Sequence, residues 1–572
     1  MDVVSAAAGY VTKMVSTGDS TTSGVPSTKM KMLLLDRETM ASISTAVTQS
    51  ALLNHEVYLV DRLDNPNRDK MRHMRCLCFV RPHPDSIGLL IDELREPRYG
   101  EYHLYFSNVA KKSTLERLAE ADDHEVVKLV QEHFLDFLVI NPDLFSLNMS
   151  PPLYRIWSGN ADTWNTDSLQ RATEGLVAVL LALKKKPLIR YQKSSLLAKK
   201  LASEVRYYIT QEDQLFDFRR VDTPPILLVL DRREDPVTPL LNQWTYQAMV
   251  HHLLSINNGR VDLSAVADIS ADLKEIVLSQ DQDPFFKKNM YMNFGDLGGN
   301  IKDYVEQYQS KTKSSGNIET ISDMKRFIEE YPEFRKLSGN VSKHVTLVSE
   351  LSKRVASENL LEVSEVEQSI ACNDNHASDI KVNLSPNFHP SNALPMLVDL
   401  LSATGGVPAQ KAQQVARLLT YHSSLHQSPA AGGITDIFES TGIFGGASSR
   451  FKGLKGVENV YTQHSPLLET TLQNLIKGKL REPQYPFIEG GGTTRDKPQD
   501  VIVFIIGGAT YEEAKMVASI NASLPGVRVV LGGTTIHNAA TFMEEVNEAV
   551  SSWPEPPPST VAGRLRQEVG RR

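Results

Sequence analysis

Cysteine is nearly absent, with three in 572 residues. Three thiols cannot build a disulfide framework, and Cys76 and Cys78 lie two apart in an apolar run where strand alternation puts both on one face. A reducing compartment is expected. Long apolar runs are missing too. The longest, such as VIVFII at 501–506, fall far short of the roughly 18–20 residues a bilayer span needs. The start, MDVVSAAAGYVTKMVS, lacks the basic segment of a secretory leader. A soluble chain is expected, so that any membrane role requires an anchored partner. Charge of one sign is lacking as well: 61 Lys and Arg against 69 Asp and Glu give a net −8, with no pull toward nucleic acid or anionic lipid. There is no G-x-x-x-x-G-K-[ST], no H-E-x-x-H, no paired C-x-x-C and no G-x-S-x-G. Neither a metal nor a cofactor is expected.

What is present is ordinary globular material, 41% hydrophobic and 23% charged, enough at about 150 residues per domain for three or four domains. KMLLLD (31–36) reads as a buried strand, followed by helical spacing from Thr39 to Leu53 and a strand at EVYLVD. RCLCFVRP leads into SIGLLIDELRE, and EYHLYFSN into STLERLAEADD, which are βαβ units of a parallel sheet. These define a first α/β domain, residues 1–149. A strand, a Pro-bearing loop and a helix recur at 224–254, after which the pattern turns helical until DVIVFIIGGATYEEA and GVRVVLGGTTIHNAATFMEEV. A lone strand makes a poor sheet. The expectation is therefore a discontinuous second α/β domain, 150–254 with 491–552, interrupted by a mainly helical third domain at 255–490. Gly/Pro/Ser-rich loops are expected within it at 310–317, 385–395 and 426–453, and 490–498 reads as the linker back. The tail, 553–572, ends in GRLRQEVGRR, four arginines against one glutamate, and reads as a solvated end.

Several features invite chemistry and resist it. Gly507-Gly508 and Gly532-Gly533 each follow a strand and open a helix, the geometry that can hold a phosphate on backbone N–H groups. Neither has the G-x-G-x-x-G spacing, and a turn with Thr534 or Thr535 as N-cap is the stronger reading. Asp231, Arg232, Arg233 and Asp235 follow the strand ILLVL, where open sheets place ligands, yet adjacent arginines and prolines favour a rigid ion-pair corner. His251 and His252 have no acidic or cysteine partner at ligand spacing. His55, His124 and His133 are scattered.

Other stretches look made for proteins. Ser113-Thr114-Leu115-Glu116 has the form of a capping box. Leu115, Leu118 and Ala119 share a stripe, and HEVVKLVQEHFLDF, read as the next helix, aligns Val127, Val130 and Phe134. On the residues alone a core is the stronger reading, with a peptide groove the alternative. The stretch 321–355 reads as a long amphipathic helical pair, with Ile321, Met324, Ile328 and Tyr331 on one stripe and Val341, Val345 and Val348 on another. Pro332 interrupts it, as a hinge or as a fixed kink or helix end.

Taken together, KMLLLD…TQSALLNHEVYLVDRL, ELREPRYGEYHLYFSN, LERLAEADDHEVV, LDRREDPVTPLLNQWTYQAMVHHLL and VVLGGTTIHN resemble the Sec/Munc (SM) family of SNARE regulators. The likeness is greatest to the vacuolar-protein-sorting branch of the trans-Golgi network and endosomes, and it covers about residues 5–550. It implies a three-domain arch, α/β plus all-α, with the helical domain inserted into the second of two parallel-sheet domains and carrying a hairpin near 300–360. It implies a binding protein, not an enzyme. The partners would be a syntaxin-like Qa-SNARE, gripped by its N-terminal peptide and its helical region, and a vesicle R-SNARE with the assembling SNARE complex. No nucleic acid is implied. The chain would be monomeric, cytoplasmic and peripheral on Golgi, endosomal or vacuolar membranes. By motif, Leu115 becomes the N-peptide pocket residue, surrounded by Leu118, Ala119, Val127, Val130 and Phe134, which reverses the preference for core. Pro332 falls at the hairpin hinge. Asp61 and Arg62 resemble cavity contacts, while Ala41 and Thr48 stand where the neuronal branch has basic residues. The competing readings are a nucleotide-using α/β enzyme and a coat or tethering adaptor.

Overall fold

The computed structural model describes residues 1–16, 30–315, 321–372 and 463–554, apart from 152, 220, 268, 281, 282, 491, 492, 494 and 495, together with parts of 413–425. The expected loops at 385–395 and 426–453 and most of the basic tail lie outside the described residues. The chain divides into two compact units. The first comprises Met1–Arg232, Thr471–Ala509 and Met516–Ile536; the second comprises Arg233–Thr470, Thr510–Lys515 and His537–Arg572.

The first unit opens with α1 (Val3–Ser16), a helix the sequence reading did not foresee. The βαβ pattern follows: β1 (Lys31–Leu35), α2 (Arg37–Ala46), α3 (Gln49–Asn54), β2 (Val57–Arg62), β3 (Met71–Val80), α4 (Pro84–Arg95), β4 (Tyr99–Phe106), α5 (Lys112–Ala121) and β5 (Val127–Glu132). All neighbouring strands pair in parallel, in the order β2-β1-β3-β4-β5. The five residues of β1 are all buried, as a strand covered on both faces must be. Asp36 ends that strand and starts the next helix. Its carboxylate accepts the N–H groups of Glu38 (3.1 Å) and Thr39 (2.8 Å), and also that of Arg81 (2.7 Å). One sheet face carries Cys76, Cys78, Leu104 and Phe106 under Leu90 and Leu94 of α4 and Leu118 and Ala121 of α5. The two cysteines share that face as alternation requires, and burial raises their thiol pKa values. The opposite face is covered by α1, where the Tyr105 hydroxyl donates to Met14 O (3.2 Å) and the Lys31 ammonium to Val15 O (2.8 Å).

A second sheet runs β6-β7-β13-β12-β9-β8. It is built from β6 (Leu138–Asn141), β7 (Leu144–Ser146), β8 (Leu188–Tyr191), β9 (Ile226–Asp231), β12 (Asp500–Ile506) and β13 (Arg528–Gly533), with α6 (Thr166–Ala182) and α7 (Leu196–Gln211) between its early strands. The orphan strand at 226–231 pairs in parallel with β12, Val501 opposite Ile226 through Ile506 opposite Asp231. Residues 138–146, which the sequence assigned to the first domain, instead extend this sheet through the pairing of β7 with β13. A buried ionic knot ties β3 to α6. Arg81, 5% exposed, reaches Glu38 (3.2 Å), Asp136 (3.3 Å) and Glu174 (2.6 Å), and Arg171 reaches Asp136 (3.2 Å).

The second unit is mainly helical: α8 (Tyr246–Leu254), α9 (Pro284–Asn289), α10 (Phe294–Ser315), α11 (Ile321–Ser357), α12 (Leu360–Cys372), the first turn of α13 (Leu467–Ile476), the first turn of α14 (Tyr511–Ser523) and α15 (Ala539–Ser552). Besides its helices it holds a short antiparallel hairpin, β10 (Arg260–Asp262) with β11 (Glu275–Val277). Its core gathers Trp244, Tyr246, Phe285, Phe286, Leu347 and Leu351. Residues 311–315, expected in a loop, continue α10. Asn538, not Thr534 or Thr535, caps α15 through a box with Thr541.

Candidate functional site

Five of the six residues singled out as a pocket, Leu115, Leu118, Ala119, Val127 and Val130, lie on α5 and β5 of the first unit, and two local readings are corrected. The stretch 127–132 is an edge strand, not a helix. The β-branched run Val126-Val127…Val130 satisfies the open edge of β4, and that pairing overrides the 3-and-4 spacing. Nor does the capping box form: α5 starts at Lys112 with Lys111 as N-cap and no side-chain cap bond, and Ser113 is exposed.

The spacing of three nevertheless has a structural basis. Val127 lies opposite Tyr102 and Val130 opposite Leu104, because the register slips by one residue between these pairs. Partners in register point to the same face. Tyr102 and Leu104 belong to the core beneath α5, so both valines lie on the α5 face. Leu118 is buried (4%) and Val127 packs partly against the same core. Leu115 and Val130 remain open, 37% and 45% exposed, and Ala119 is exposed beside them. The result is a helix–strand edge with an apolar floor and two unsatisfied apolar side chains at the surface. Phe134 does not join it. Its ring sits edge-on to Tyr10 of α1 at 6.4 Å, on the sheet's other side.

Polar groups rigidify the borders of this edge. The Asp122 carboxylate accepts the N–H groups of Val126 (2.9 Å) and Val127 (3.0 Å), and Glu132 accepts that of Ala110 (2.8 Å). Burial pushes the Glu132 carboxyl up, against the Ala110 bond and helped by the Glu212 charge. Behind the strand, His133 is 2% exposed, with Nδ1 3.2 Å from Tyr10 O and its ring edge-on to Tyr105. Desolvation, reinforced by Lys13 and opposed by the Tyr10 carbonyl, lowers its pKa to about 4.

Asp61 and Arg62 end the open edge strand β2 and close a tight turn. Asp61 accepts the Arg62 N–H (2.7 Å) and the Asn65 amide (3.0 Å), while Arg62 pairs with Asp64. Thr48 is the N-cap of α3, accepting the Ala51 N–H at 2.9 Å. Upstream on the same strand Tyr58, Leu59 and Val60 are 52%, 40% and 40% exposed.

In the second unit α10 and α11 form the expected hairpin, joined by stacking of Tyr308 on Phe334 at 5.5 Å. Instead of a helical pair divided at Pro332, α11 is one 37-residue helix that continues through it. The side chains of Ile321, Met324, Ile328, Tyr331 and Pro332 lie outside the described residues. Beyond them, the stripe expected from Val341, Val345 and Val348 splits. Val341 is buried and Val348 packs on the core, with His344, Leu347 and Leu351 beside them, whereas Val345 is 41% exposed.

The glycine doublets are accounted for by packing. The N–H groups of Gly507, Gly508 and Ala509 go to Thr534 Oγ1 (3.1 Å), Ile505 O (3.3 Å) and Thr535 O (2.9 Å). Gly507 and Gly508 have φ of 84° and 87°, which a side chain would strain. A Cβ at Gly532 would lie 2.0 Å from the Phe145 ring. Among the described residues no group of His, Cys, Asp and Glu is placed to hold a metal ion, and no helix is long and apolar enough to cross a membrane.

The profile described as the Sec1 family matches residues 31–545. Vacuolar protein sorting-associated protein 45 of Rattus norvegicus is 48% identical over 570 residues, covering 96% of each chain. Its Schizosaccharomyces pombe counterpart is 46% identical, covering 96% of this chain and 99% of its own. A solved SM protein Vps45 in complex with the Qa SNARE Tlg2 superposes with a TM-score of 0.88 and 67% identity, over 98% of this chain and 100% of that one.

Proposed function

Because this chain belongs to the Sec1 family, we propose that it binds a syntaxin-like Qa-SNARE and templates SNARE-complex assembly for vesicle docking and fusion in trans-Golgi, endosomal or vacuolar transport. The observation that carries the reading is the likeness, 67% identical across 98% of the chain, to an SM protein Vps45 held in complex with a Qa SNARE. The SNARE's N-terminal peptide docks on the edge formed by Leu115, Leu118, Ala119, Val127 and Val130, where Leu115 and Val130 are apolar yet open to solvent. Asp61 and Arg62 contact the helical part of the SNARE, and α10 with α11 receives the vesicle R-SNARE, Pro332 serving as hinge.

The physical task is nucleation. Helix pairs gain burial only after chain entropy has been lost, so the first turns in register are uphill. A scaffold that holds two segments side by side removes much of that cost, and a peptide tethered at α5 and β5 raises the local concentration for the weaker helical contact. In this reading the chain has three domains, works without catalysis, and reaches Golgi and endosomal membranes through the anchored SNARE. A nucleotide-using enzyme is disfavoured because the N–H groups of Gly507, Gly508 and Ala509 are engaged by the protein itself. Co-purification tests the reading: a tail-anchored SNARE helix should be recovered, and recovery should depend on its first residues. Recovery of coat subunits or lipid alone would contradict it.

A further inference from the structure

One buried carboxylate holds α11 to the body of its own unit. Asp283, 1% exposed, is the N-cap of α9, accepting the Phe286 N–H at 3.0 Å. Its Oδ2 is shared by two consecutive residues of α11, pairing with the Lys343 ammonium and lying 2.7 Å from His344 Nε2. The other imidazole nitrogen, Nδ1, is 2.7 Å from the Tyr246 hydroxyl of α8. His344 and Tyr246 are both fully buried, with the Phe285 ring tilted against the imidazole at 4.6 Å and the Phe286 ring parallel to it at 6.5 Å. Burial lowers the His344 pKa. With a neutral ring, Nε2–H donates to Asp283 and the tyrosine hydroxyl donates to Nδ1, so every polar atom of the relay is satisfied. Burial works to raise the Asp283 pKa, but His344 and Lys343 outweigh it and hold the carboxyl at about 2.

The two arms on that carboxylate differ in one respect. The His344 arm is dry. The Lys343 arm faces a cleft of about 470 Å³ between β11 and α11, lined by Val277, Asp283, Lys336, Gly339, Asn340 and Lys343. The Lys343 side chain is 14% exposed and also reaches Val277 O at 3.3 Å. An ammonium beside an open cleft can leave for solvent without exposing apolar core while the Asp283 carboxylate keeps the His344 and Phe286 N–H groups, whereas breaking the dry arm would leave the buried Nε2–H of His344 without an acceptor.

We propose that Asp283 is the positioning residue for α11: His344 fixes where the helix is attached, and Lys343 is a releasable latch that sets the posture in which the helix presents its outer face, Val345 included, to a partner helix. The claim about posture stands alone; the claim about the partner rests on the function proposed above. Lys343 lies three turns beyond Pro332, which places the latch at the base of the segment expected to bend.

The test is hydrogen exchange on the full chain, comparing Lys343→Met, Lys343→Arg and Asp283→Asn with wild type over residues 334–348. Binding of the SNARE N-peptide serves as a control at a separate site. Opening of the latch should raise exchange in that segment of Lys343→Met about tenfold or more, a local rather than global opening, with N-peptide affinity unchanged. Lys343→Arg should restore wild-type exchange. Asp283→Asn keeps an acceptor for His344 but loses the ion pair, and should behave like Lys343→Met. Wild-type exchange in Lys343→Met would overturn the latch, whatever the SNARE measurements show. Raised exchange in a protein that binds no SNARE segment would keep the latch and remove the functional reading.

Discussion

Leu115 of α5 and Val130 of β5 lie on the same side of the first sheet and are 37% and 45% exposed, while Leu118, one turn along the helix, is 4% exposed. A core would bury all three, and a solvated face would not select two branched apolar side chains beside a third. This division separates recognition from stability. Leu115→Ala should leave the unfolding free energy within about 0.5 kcal/mol of wild type, as surface changes do. Leu118→Ala should cost about 2–5 kcal/mol. Urea titration of the two variants checks this, and equal losses would return Leu115 to the core.

His133 gives the first unit a defined pH response. Its folded pKa of about 4 lies below the ordinary 6.5, so the unfolded chain takes up the proton first. Its contribution is therefore complete above about pH 6.5, falls as pH drops toward 4, and is gone below that, a change of at most about 3 kcal/mol. His133→Gln should flatten the stability curve over that window. Curves for the two proteins that stay parallel from pH 7 to 4 would contradict the assignment.

Gly532 must remain without a side chain for β13 to lie against Phe145. Gly532→Ala should destabilise by about 1–3 kcal/mol or more through overpacking, read as a lower Tm. The same substitution with Phe145→Leu should recover part of the loss. An unchanged Tm in the single variant would contradict this packing account.

Pro332 lacks the N–H that an uninterrupted helix would use, at about 3 kcal/mol relative to alanine. Since α11 continues through that position, Pro332→Ala should stiffen the helix and raise local protection from hydrogen exchange. If Pro332 is a hinge, partner-helix binding and the rate of SNARE assembly should change as well. Unaltered binding and assembly rates would leave it a kink only.

Much of this architecture is legible in the sequence because local and tertiary signals agree there. Continuous apolar runs such as KMLLL are buried central strands, and the isolated ILLVLD needs a partner, which it finds in residues 500–506. The misreadings arise where they compete. HEVVKLVQEHF carries helical spacing, but the free edge of β4 draws it into a strand, and the one-residue slip in register puts Val127 and Val130 on one face. STLE has the letters of a capping box, yet the helix begins a residue earlier and Ser113 faces solvent. α1 carries its buried Val3, Ala7, Val11, Met14 and Val15 at helical spacing, a signal that was available in the sequence. Asp283 and His344 are 61 residues apart, and nothing in the local pattern pairs them.

The central claim is that the α5 and β5 edge is where a SNARE N-terminus binds. Its most direct test is isothermal titration of the wild type and Leu115→Arg with the N-terminal peptide of the syntaxin-like partner, alongside circular dichroism. The charge would have to be desolvated at the apolar edge. The account predicts saturable binding by wild type and its loss in Leu115→Arg with the fold intact. Equal affinity for both proteins would contradict it.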